Sequence, residues 1–120
     1  MATVLVVDDA AFMRMMLKDI LAEAGHRVIG EGGTGNEAVQ LYATLRPNLV
    51  TLDVVMPEVS GLVALKEILA FDARARVIMV SSVGQQETVV EALQAGAKAF
   101  ILKPFQPDQV KECIEKVLFS

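Results

Sequence analysis

Four short apolar runs in this chain end on side chains able to do chemistry. Residues 4–7 lead into Asp8 and Asp9, residues 49–52 into Asp53, residues 77–80 into Ser81, and residues 99–102 into Lys103 followed by Pro104. Three carboxylates brought together repel one another and resist full ionisation. A hard divalent cation removes that conflict, and a few carboxylate or carbonyl oxygens completed by water is the usual Mg²⁺ arrangement. A lysine in the same cleft supplies fixed positive charge for a phosphate, and a serine hydroxyl can donate to a phosphate oxygen. Acids, a metal, a lysine and a hydroxyl together point to phosphoryl transfer, where catalysis is mostly positioning and charge neutralisation. No G-x-x-x-x-G-K-S/T loop is present to hold a nucleotide. The phosphoryl group is therefore expected from another molecule. Asp53, standing alone at its strand's end, is the natural acceptor, with Asp8 and Asp9 free to hold the metal.

The elements that must position these groups are legible from hydrophobic period. Residues 4–7 are a continuous apolar run, as in a strand buried on both faces. A helix follows with Met13, Met16, Leu17, Ile20, Leu21 and Ala24 on one stripe, stopped by Gly25. The pattern then predicts a strand at 27–30, a helix at 36–45 barred by Pro47, a strand at 49–52 and a helix at 62–71. A strand at 77–80, a helix at 85–95 closed by Gly96, a strand at 99–102 and a helix at 107–118 opened by Pro107 complete it. Alternation of five strands with five helices implies a parallel α/β sheet covered on both faces, with right-handed crossovers. Ligands of such sheets sit beyond the carboxyl ends of the strands, where the acids, Ser81 and Lys103 fall.

The bulk numbers set the boundaries. A length of 120 residues suits one domain spanning 1–120. One cysteine gives no disulfide framework and agrees with a reducing, cytoplasmic setting. Net charge is −4, with no basic stripe for nucleic acid. Mean hydropathy is +0.46, yet the longest charge-free stretch, 77–86, is half of the roughly 20 residues a membrane span needs. No signal peptide precedes Asp8.

Asp8-Asp9, then Asp53-Val54-Val55-Met56-Pro57 with Gly61, then Ser81, then Lys103-Pro104 resemble, in that order, the receiver domain of two-component response regulators. The resemblance covers essentially the whole chain. Residues 10–16, Gly84-Gln85-Gln86 and residues 103–107 are similar to the chemotaxis branch of that family. The resemblance implies a flavodoxin-like (βα)5 doubly wound fold with strand order 2-1-3-4-5. It makes Asp53 the phosphoacceptor and a Mg²⁺ ligand, with Asp9 on the metal directly, Asp8 mainly through water, and the Val55 backbone carbonyl completing the set. Lys103 would contact the phosphoryl oxygens, while Ser81 swings toward them and lets the switch residue Phe100 move inward. It implies a histidine kinase as phosphodonor, a phosphatase, and a flagellar motor switch protein as the target of a monomer. No output domain, no nucleic acid and no membrane would be involved. The chain would be no enzyme beyond its own phosphorylation and dephosphorylation. Phe100 departs from the usual Tyr, and Ser82 from the usual Ala or Gly. Val55 and Val83 occupy the positions flanking the attacking water, so slow self-dephosphorylation is expected.

Competing readings attach to the same residues. Asp9 suits an N-cap of the first helix, and Asp53 an ordinary solvated strand-end acid. Gly30, Gly32 and Gly35 spell G-x-G-x-x-G with Asp53 18 residues on, a nominal dinucleotide fingerprint. That reading leaves Asp8, Asp9 and Lys103 without a role, and the glycines are expected to form a mobile turn. Phe12 and Met15 fall off the core stripe and suit a partner-facing patch, and Gln85, Gln86, Gln106 and Gln109 an output surface. His26 is expected in a surface loop, and Cys113 as a buried thiol on the face of Val110, Ile114 and Val117. A receiver cut from a larger regulator, a nucleotide-binding enzyme and a degenerate receiver acting only by binding are the alternatives at the level of function.

Overall fold

In the computed structural model, which describes residues 1–119, ten elements alternate along the chain. They are β1 (Thr3–Val7), α1 (Ala11–Glu23), β2 (Arg27–Gly32), α2 (Gly35–Leu45), β3 (Leu49–Leu52), α3 (Gly61–Phe71), β4 (Val77–Ser81), α4 (Gln86–Ala95), β5 (Ala99–Leu102) and α5 (Pro107–Leu118). All strand pairings are parallel, in the order β2-β1-β3-β4-β5. The fold is the flavodoxin-like α/β architecture that the family resemblance implied.

Side chains alternate between two cores because strand period is two. Leu5, Val7, Val50, Leu52, Val77 and Met79 pack under α2, α3 and α4. Val4, Val6, Leu49, Ile78, Val80 and Ile101 pack under α1 and α5. Burial on both faces explains why these strands read as unbroken apolar runs. Each fully buried leucine or isoleucine contributes about 1.5–3 kcal/mol relative to exposure. The helix stops follow their chemistry. Gly25 has φ +85 past α1, Gly96 has φ +118 past α4, and Arg46 takes the left-handed cap of α2 before Pro47. Among the described residues no helix is long and apolar enough to cross a membrane.

Three expectations need correction. Gly30, Gly32 and Gly35 do not form a mobile turn: the first two lie in β2 and the third opens α2. The β1–β2 register skips Ile29, pairing Val4 with Val28 but Leu5 with Gly30. A Cβ at that bulge would strike the Leu45 side chain, and one at Gly35 would strike the Val59 backbone. Neighbouring protein, not an open phosphate cradle, demands these glycines. His26 is buried rather than a surface loop residue. Its Nδ1 accepts the Ala2 N–H at 3.0 Å, so its Nε2–H donates to Glu115 at 3.1 Å. Cys113 is only half-buried, with burial pushing its thiol pKa up.

Candidate functional site

The β1–α1 loop carries Asp8 and Asp9. Asp8 is 1% exposed, and all of its polar groups are engaged. Its N–H donates to the Gly32 carbonyl at 3.0 Å, Oδ1 accepts the Ala10 N–H at 2.9 Å, and Oδ2 meets Lys103 Nζ at 2.7 Å. Asp9 is exposed at the mouth. It does not cap α1, whose N-cap is Ala10 without a side-chain bond, so the capping alternative falls.

Asp53 follows β3 and is 6% exposed, which removes the reading of an ordinary solvated acid. Its N–H donates to the Val7 carbonyl at 3.0 Å, tying it to the end of β1. Gly61 opens α3 directly against it. A Cβ at Gly61 would overlap the Asp53 carbonyl, and the Gly61 N–H donates to the Val54 carbonyl at 2.7 Å. Glu58, in the same loop, has φ +68, and its side chain accepts from Asn36 Nδ2 at 3.2 Å. That strained residue and the tie to α2 fix the loop's path.

Ser81 ends β4 and Lys103 follows β5. The Ser81 hydroxyl oxygen accepts the Val83 N–H at 3.1 Å. Lys103 Nζ lies 3.4 Å from Asp53 Oδ2 as well as against Asp8, and the Lys103–Pro104 peptide is cis. One ligand oxygen from each of Asp8, Asp9 and Asp53 can be chosen so that all lie within 4.8 Å of one another. Burial, above all, pushes the Asp53 pKa up; Lys103 pulls it down, Asp8 raises it again, and bonds from Ser81 and the Val54 N–H lower it. The donor set is therefore hard oxygen, two of its three acids are buried, and one ammonium serves both. It fits a small divalent cation.

Val55, two residues past Asp53, exposes 59% of its surface, and Val83 is half-buried. Neither offers a polar side-chain atom. Phe100, half-buried on β5, packs against the core under α3 and α4. Phe12 and Met15 are exposed on α1, as their place off the stripe implied.

One participant was not foreseen. Arg14 Nη1 donates to the Asp8 carbonyl at 2.7 Å, and its Nε donates to Glu31 at 3.2 Å. A cation in the first turn of a helix opposes the helix dipole, and that misfit was the signal available in the sequence.

Residues 4–115 match the response regulator receiver domain family. The chemotaxis proteins CheY of Thermotoga maritima and Bacillus subtilis are each 56% identical, over 95% and 96% respectively of both chains. Among solved structures, the CheX-CheY-BeF3-Mg+2 complex from Borrelia burgdorferi contains a chain with TM-score 0.94 and 38% identity. The match covers 96% of this chain and 87% of that one. The present chain belongs to the response regulator receiver domain family and is similar, over nearly its full length, to chemotaxis proteins CheY.

Proposed function

We propose that this chain is a phosphorylation-switched chemotaxis regulator that accepts a phosphoryl group on Asp53. The observation that carries the reading is a buried strand-end carboxylate, Asp53, flanked by a second buried acid, a hydroxyl and one shared ammonium. A carboxylate oxygen of Asp53 attacks the phosphorus of a kinase phosphohistidine. The P–N bond breaks, its electron pair goes to the imidazole nitrogen, and an acyl phosphate forms. Lys103 Nζ, already between Asp8 and Asp53, holds the arriving phosphoryl oxygens. Ser81 turns its O–H to the phosphate. Asp9, Asp53 and the Val55 carbonyl would hold Mg²⁺, with Asp8 acting through water. When bound, that ion supplies the neutralising charge that phosphoryl transfer between two anions requires.

The added charge biases a two-state equilibrium of the loop after β4 and of Phe100. Output is through the face of α4, β5 and α5 onto a flagellar motor switch protein; Val90, Leu93 and Leu102 are exposed there. Two things support these finer points: the similarity to CheY proteins and the Borrelia relative, which was crystallised with BeF3 and Mg²⁺. The chain's only catalysis is on itself.

The test is intact mass after treatment with a small phosphodonor, with and without Mg²⁺, beside Asp53→Asn. The expected result is one hydrolysable, Mg²⁺-dependent phosphoryl adduct that the variant lacks. No adduct under any condition, or an equal adduct on the variant, refutes the assignment.

A further inference from the structure

Asp9 has no side-chain hydrogen bond or ion pair recorded among the described residues, so its place at the mouth depends on the backbone of residues 8–10. That backbone is tied down at Asp8. Two of the ties come from the immediate surroundings: the Asp8 N–H to Gly32 on β2 and the Ala10 N–H to Asp8 Oδ1. The Asp8 carbonyl is held instead by a side chain one helical turn away, Arg14, at 2.7 Å. Arg14 is itself aimed by Glu31 on β2, which it meets through Nε at 3.2 Å and which Lys18 meets at 2.8 Å. Only 23% of the Arg14 side chain is exposed, against 43% for Lys18. One planar guanidinium thus bridges the loop carrying two of the three acids to the neighbouring strand. An arginine can do this with its separate N–H groups, whereas a lysine ammonium is a single point charge.

We propose that Arg14 is a positioning residue for the divalent-cation site: by holding the Asp8 carbonyl against β2 it sets the loop that presents Asp8 and Asp9. This rests on the reading of the acids as a Mg²⁺ site. Charge alone would act in the opposite direction, because a guanidinium beside the pocket repels a cation. Glu31 offsets that repulsion and leaves geometry as the contribution of Arg14. The two effects therefore predict opposite signs.

The experiment titrates Mg²⁺, and separately Mn²⁺, calorimetrically into the unphosphorylated full chain. Wild type, Arg14→Gln, Arg14→Lys and Lys18→Gln are compared, with melting temperatures taken in EDTA. Lys18→Gln removes the same unit of charge from the same carboxylate without touching the Asp8 carbonyl. The expected result is metal affinity about tenfold weaker in Arg14→Gln, a size usual for losing a partner that orients a ligand. Arg14→Lys should fall between, and Lys18→Gln should stay within about twofold of wild type. Tighter binding in both Gln variants would mean that charge dominates and overturns the proposal. So would a lower melting point in Arg14→Gln with wild-type affinity, which is a purely structural role. Should Arg14→Gln not fold, Arg14→Lys against Lys18→Gln decides by the same criterion. A wild type that binds neither ion removes the metal-site reading itself, and the proposal with it.

Discussion

Asp53→Asn should make the metal-free protein more stable at pH 7. The Asp53 carboxylate gains attraction from Lys103 Nζ at 3.4 Å, about 4.9 kcal/mol at an effective dielectric of 20. It suffers repulsion of about 3.5 kcal/mol if the Asp8 charge acts across the 4.8 Å that bounds their ligand oxygens. The balance, roughly 1.4 kcal/mol in its favour, is smaller than the several kcal/mol that desolvating a buried carboxylate costs. Burial is also the first cause of the raised Asp53 pKa. The neutral isostere therefore relieves on the order of 1–3 kcal/mol, a rise of roughly 4–12 °C in melting temperature for a domain of this size. The sign with pH follows from linkage. A carboxylate whose folded pKa is raised holds its proton more tightly when folded. The wild type is therefore least handicapped below the unfolded value and loses that ground as pH rises through the folded one. The advantage of Asp53→Asn should shrink as pH is lowered. Saturating Mg²⁺ should narrow it from the other side, since tenfold excess over Kd adds about 1.4 kcal/mol to the state that binds. Urea melts followed by circular dichroism, in EDTA across pH 4–8 and at pH 7 with saturating Mg²⁺ in place of EDTA, measure all three. A variant no more stable than wild type at pH 7 in EDTA would refute the balance drawn here.

Gly61→Ala should cost at least ~2 kcal/mol and slow phosphorylation, because the new Cβ must push the start of α3 off the Asp53 carbonyl; paired melts and adduct-formation rates test it, and a silent substitution contradicts it. Val55→Asn and Val83→Glu should each shorten the lifetime of phosphorylated Asp53, on the order of tenfold, by giving the attacking water a polar partner. Unchanged decay in both would remove that explanation for a slow wild type. Tyr42→Phe should cost about 1 kcal/mol, since the Tyr42 O–H donates to Asp72 at 2.8 Å. The Tyr42 pKa is raised to about 12, chiefly by burial. The wild type should therefore keep that contribution below pH 10 and lose it as pH climbs toward 12, a slope the Phe variant lacks.

Much of this architecture is written locally. β3, β5 and α5 run over the residues expected of them, because leucine and β-branched runs, Pro107 and the stops are all chain-local signals. The acids and Lys103 were found by one rule, that chemistry in a parallel sheet lies past the carboxyl ends of its strands. What escaped were pairings that no chain-local pattern announces. His26 is buried by Ala2 and by Glu115, which is 89 residues away on α5. Gly30 answers to Leu45 across α2, and Arg14 to a backbone carbonyl that has no side-chain signature. The strand order also lay outside the reach of alternation and came from family resemblance, because period alone does not say which strands are neighbours.

The sheet works as a bulkhead. Phe100 and Ile101 are adjacent on β5, yet the first faces the compartment under α3 and α4 and the second the compartment under α1 and α5. A rotation of Phe100 therefore disturbs one room of the protein and leaves the other with its packing intact. Amide exchange should distinguish the two sides of a single strand's helices, with α4 loosening or tightening on phosphorylation while the buried turns of α1 keep their rate.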